Sequence, residues 1–91
     1  MINQAVAQSL LEGERLSSLV TFKQKNALLV FAKGFADEFL HLYERDFGWE
    51  VWIPSGVQMD RGLRDGFNGS LFPTRIDAVR ATLAVIAKGC G

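Results

Sequence analysis

The sequence predicts a small α+β fold: an N-terminal helix, a three- or four-stranded antiparallel sheet, and a C-terminal helix packed on that sheet. Two observations carry this expectation. Apolar residues recur every three to four positions at both ends of the chain, and β-branched and aromatic residues crowd its middle between turn-forming residues. At 91 residues there is room for one core, so residues 1–91 are expected to form a single domain.

The first segment places Ile2, Val6 and Leu10 four residues apart, with Ala5 and Leu11 beside them and Gly13 where a helix would stop. This stripe is narrow, and its expected partner is a sheet. Residues 19–23 and 27–33 can pair as a hairpin around Gln24-Lys25-Asn26. Residues 27–47 satisfy two templates. At a period of 3.6, positions 28, 32, 35, 39 and 43 make an apolar stripe; at a period of 2, Phe39, His41 and Tyr43 face one way and Leu40 and Leu42 the other. The strand reading is favoured for 38–53, because Trp49 to Ile53 is rich in strand formers and Asp46-Phe47-Gly48 supplies a turn.

Pro54 ends that strand, and residues 55–70, with glycines at 56, 62, 66 and 69, are expected to be a loop. Within it Asn68-Gly69 is a type I′ turn signal, which would make Phe67 and Leu71 the flanks of a tight hairpin. The last segment is a helix, with Ile76, Val79, Leu83, Ile86 and Cys90 on one face and Ala78, Ala81, Ala84 and Ala87 between them to allow close approach. Thr74 is its expected N-cap, with Asp77 in the place of the usual capping-box Glu, and Gly89 is expected to end it in the left-handed conformation.

Composition removes several classes of function. The chain is 48% hydrophobic and 22% charged, outside the range of disordered chains. Its longest apolar run, 27–32, is far short of the ~18–20 residues that cross a bilayer, so no membrane partner is expected. One cysteine, Cys90, permits no internal disulfide, and with no secretory signal the expected location is cytoplasmic. A single histidine, His41, and a single cysteine supply no metal-ligand set, and no metal is expected. Neither Ser55 nor Ser70 lies in a nucleophile elbow, and the glycines miss phosphate-loop and dinucleotide-loop spacing, so no catalytic residue and no cofactor is assigned.

Two surfaces remain. Ten basic and ten acidic residues cancel, yet residues 37–50 hold Asp37, Glu38, Glu44, Asp46 and Glu50 against Arg45 alone. Trp49 and Trp52, three apart on one strand, face opposite sides. Since Trp49, Val51 and Ile53 form the more apolar side, Trp52 beside Glu50 is the outer residue, either an interface anchor or covered by another segment of the chain. The expected function is therefore a non-enzymatic protein-interaction module, such as a small bacterial, phage or plasmid-encoded regulator or inhibitor. It would bind another protein, or itself as a homo-oligomer, through Tyr43, Asp46, Glu50 and Trp52. The alternative is a nucleic-acid-binding module using Arg61, Arg64, Arg75 and Arg80, weakened by the equal acidic count.

Overall fold

The computed structural model describes residues 2–13 and 19–89, which form three helices and five strands. Helix α1 (Gln4–Glu12) opens with the Asn3 side chain accepting from the Val6 N–H at 3.0 Å and ends at Gly13. Strands β1 (Leu19–Gln24), β2 (Ala27–Ala32), β3 (Leu40–Arg45) and β4 (Gly48–Trp52) follow, then α2 (Arg61–Phe67), β5 (Leu71–Phe72) and α3 (Arg75–Lys88). The strands make one antiparallel meander in the order β1-β2-β3-β4-β5, with β1 and β5 at its edges.

Two of the three expected hairpins form, around Lys25-Asn26 and around Asp46-Phe47. Lys25 enters its turn at φ 54. Gly48, at φ 136, leaves the second, and a Cβ there would run into the Phe72 carbonyl oxygen of β5. Alternation along the paired strands sorts the side chains cleanly. Leu28, Val30, Leu40, Leu42, Trp49, Val51 and Ile53 face the helices and build the core with Ile2, Ala7, Leu10, Ala78, Leu83 and Ile86. Phe39 departs from the expected pattern. It precedes β3 in a bend, bonds the Val30 carbonyl through its N–H at 2.9 Å, and is fully buried, so it does not share a face with His41 and Tyr43.

Five strands replace the three or four expected, and the 55–70 loop is corrected most. It contains α2, capped by the Asp60 carboxylate accepting from Leu63 N–H at 2.9 Å. Asn68-Gly69 closes no hairpin. Asn68 is extended (φ −59, ψ 137), Gly69 is at φ 90, and Ser70 N–H bonds Phe67 O at 3.1 Å, the pattern of a type II turn joining α2 to β5. The reason lies in the Asn68 side chain, which accepts from Ile53 N–H at 2.7 Å and donates to Ile53 O at 3.3 Å. It thereby continues the β4 ladder as a backbone group would.

Helix α3 is capped by Thr74, whose hydroxyl accepts from Asp77 N–H at 3.1 Å. Its buried side is rotated from the expected stripe: Ala78, Val79, Thr82, Leu83, Ile86 and Ala87 are buried, whereas Ile76 is 56% exposed. Cys90 lies outside the described residues. Gly89 is right-handed at φ −85, not left-handed. It is suited to glycine because a Cβ would meet the Val85 carbonyl at 2.9 Å and the Met59 side chain at 3.2 Å. Helix α1 lies chiefly along α3, so the sheet is not its principal partner. No helix among the described residues is long and apolar enough to cross a membrane.

Candidate functional site

Both main helices lie on one side of the sheet, and among the described residues the other side carries no helix, although Leu29 at its centre is buried by its neighbours. Reading the register across that open face gives one row of Phe22, Leu29, His41 and Trp52, and a second of Gln24, Ala27, Tyr43, Glu50 and Leu71. Val20 and Phe31 pair above the first row. Four large side chains on this face are exposed: Val20 at 51%, Phe22 at 60%, Trp52 at 42% and Leu71 at 48%.

A polar cluster holds the Trp52 end in place. The Trp52 indole N–H donates to Glu50 Oε2, and Arg45 Nε donates to Glu50 Oε1 at 3.2 Å. The Arg45 guanidinium stands 5.2 Å from the centre of the Tyr43 ring, within cation–π range. The indole hydrogen bond first, and then Arg45, hold the Glu50 carboxyl below its ordinary pKa of 4.5. Gly69 lies beneath the indole, where a Cβ would come within 3.7 Å of Cζ2. Next to Trp52 in the same row, His41 Nε2 is 3.0 Å from Glu38 Oε1, and that contact lowers the Glu38 pKa.

Of the residues expected to act together, Tyr43, Glu50 and Trp52 share one face; Glu50 and Trp52 are hydrogen-bonded, and Tyr43 joins them through the Arg45 guanidinium over its ring. Asp46 stands apart in the exposed β3–β4 turn beside Phe47, which is also exposed. Sequence reasoning missed Arg45, His41 and the contribution of β1 and β2. A signal for the last was available: residues 27–32 are apolar on both alternating faces, as in strands covered on both sides.

The arginines of the alternative reading are divided between the two ends of α3. Arg61 and Arg64 belong to α2, whose cap Asp60 bonds the Gly89 carbonyl through its backbone N–H. Arg75 opens α3, about 20 Å from that end at 1.5 Å per residue. Arg61 and Arg64 both approach Asp65, at 3.6 and 3.8 Å, and Arg64 also donates to Ser55 O at 3.1 Å. Arg75 stacks over Trp49, and Arg80 has an interaction of its own.

Among the described residues, fold and site together define a meander-sheet α+β protein with helices on one side and exposed aromatic residues on the other. No family model, curated protein or solved structure matches the chain.

Proposed function

We propose that the chain is a non-enzymatic protein-interaction module, a small regulator or inhibitor that seats a partner protein on the open face of its sheet. The observation that carries this reading is β2, apolar on both faces while the helices among the described residues cover only one. Phe22 and Trp52 flank the centre of that face, and exposed aromatic residues of this kind are the usual anchors of binding energy. Glu50 and Arg45 fix the Trp52 rotamer before a partner arrives, which reduces the ordering cost of association.

The partner's chemistry follows from the rim. Asp37 and Asp46 are exposed and have no ion pair among the described residues, so an apolar patch bordered by basic side chains is the complement. A second copy of this chain presents the same acidic rim and would meet like charge.

The test is affinity capture with the wild-type chain, alongside Phe22→Glu, Trp52→Ala and Arg61→Ala. Light scattering on the purified protein accompanies it. The expected result is a monomer that retains one partner with the wild type and Arg61→Ala but loses it with the two face variants. A partner retained equally by all four proteins would sink the proposal. Stable homodimers that dissociate in Phe22→Glu would replace the foreign partner with a second copy.

A further inference from the structure

Among the described residues the helix layer also stops short of the β1–β2 hairpin on its own side of the sheet, leaving a groove there. We infer that this groove binds a small amphiphilic anion: a free molecule with one anionic head, phosphate or carboxylate, on a short apolar body. The head end is a concavity of about 420 Å³ walled by Lys23, Lys25, Glu44, Trp49 and Arg75. It shares Leu28, Leu42 and Arg75 with a second, apolar concavity of about 230 Å³ that runs on past Val30 to Ile76 and Val79 of α3. Small-molecule sites combine these two features, an apolar wall for the body and a few converging polar groups for orientation.

Charge argues for an anion. The whole chain is neutral, yet four cations, Lys23, Lys25, Arg45 and Arg75, line this concavity against the carboxylate of Glu44, and among the described residues Arg45 alone of the four is paired, with Glu50. None of Lys23, Lys25 or Arg75 forms an ion pair among the described residues. Arg75 is nonetheless held in place, its guanidinium 5.4 Å from the centre of the Trp49 ring. Its position at the start of α3, where the helix dipole disfavours a cation, makes sense if an anion completes the site. Ile76, exposed on the same turn, then has an apolar body to cover it.

The two tryptophans provide the test, because Trp49 lines the groove and Trp52 stands on the opposite face. In a Trp52→Phe protein Trp49 is the only indole, and n-octyl phosphate below its micelle concentration should shift its emission saturably. Inorganic phosphate and octanol should each bind at least ten-fold more weakly. Adding Lys23→Gln and Arg75→Gln, both exposed positions, should weaken octyl phosphate at least ten-fold while circular dichroism stays native. In a Trp49→Phe protein, the same titration should leave Trp52 unchanged.

The inference is overturned by an unsaturable response, by equal binding of octanol, or by undiminished binding to the Lys23→Gln, Arg75→Gln protein. A response from Trp52 would place the amphiphile on the open face, and a response only to phosphatidylglycerol vesicles would make the groove a membrane contact. Either result removes the free ligand from the groove. Loss of binding in the groove would leave the partner proposed for the opposite face untouched.

Discussion

Asn68 shows how much one side chain can settle. Its amide satisfies both the N–H and the C=O of Ile53, at 2.7 and 3.3 Å, where β4 has run out of strand partner. Asn68→Ala strands both groups in a part-buried place, and the expected loss is about 1–3 kcal/mol in urea unfolding. Asn68→Asp keeps the acceptor and loses the donor, so it should fall between the two proteins. Glu50 makes a pH-dependent prediction. Its folded pKa lies below its ordinary value of 4.5, so its contribution to stability is present above that value and is lost as pH falls through the lower folded one. The Trp52 emission should therefore titrate with a midpoint below 4.5 in wild type and lose that step in Glu50→Gln. The outward position of Trp52 and Glu50 was legible from strand alternation alone. That Arg45 would bridge Tyr43 and Glu50 was not, since the contact depends on the register across a turn.

Among the elements, the first hairpin carries a local conflict. Lys25 occupies the left-handed region at φ 54, which costs a side-chain-bearing residue roughly 1–2 kcal/mol and which asparagine tolerates better. Lys25→Asn should raise the melting temperature by a few degrees, about 4–8 °C for each kcal/mol recovered in a domain of this size. An unchanged or lowered value would mean the turn's strain is offset elsewhere. Lys25 also walls the head end of the groove, so the same variant should weaken octyl phosphate modestly. The strands at 38–53 and both hairpin turns were legible because local composition and tertiary need agree there. Helix α2 was not, because Gly62 and Gly66 fall within its seven residues and lower its propensity. Its readable signals were the Asp60 cap and the Arg61–Asp65 spacing. Strand β5 is two residues long, too short to show any period.

At the scale of the whole molecule, fold class followed from periodicity, but the rotation of α3 and the docking of α1 on it did not. Those depend on which neighbour each helix finds once the sheet has formed. The covering is consequently uneven: β3 and β4 carry helices on one side, whereas β1 is exposed along nearly its whole length. An edge strand with so little buried side chain has few contacts resisting its release. Amide exchange under native conditions should divide accordingly. Protons of Leu40 and Leu42 are expected to exchange only through complete unfolding, with strong dependence on denaturant. Those of the β1–β2 ladder should exchange by a smaller opening nearly independent of it, and identical behaviour in the two regions would contradict this division.

The uncovered β1 has one more implication, for how quickly the protein can respond. The hairpin that frays most easily supplies Phe22 to one face and Lys23 to the other, by simple alternation along the strand. A molecule bound on either side would tighten the same few ladder hydrogen bonds. Occupancy of the groove and occupancy of the sheet face would then be felt by each other through a shared margin of order, without any rearrangement of the centre.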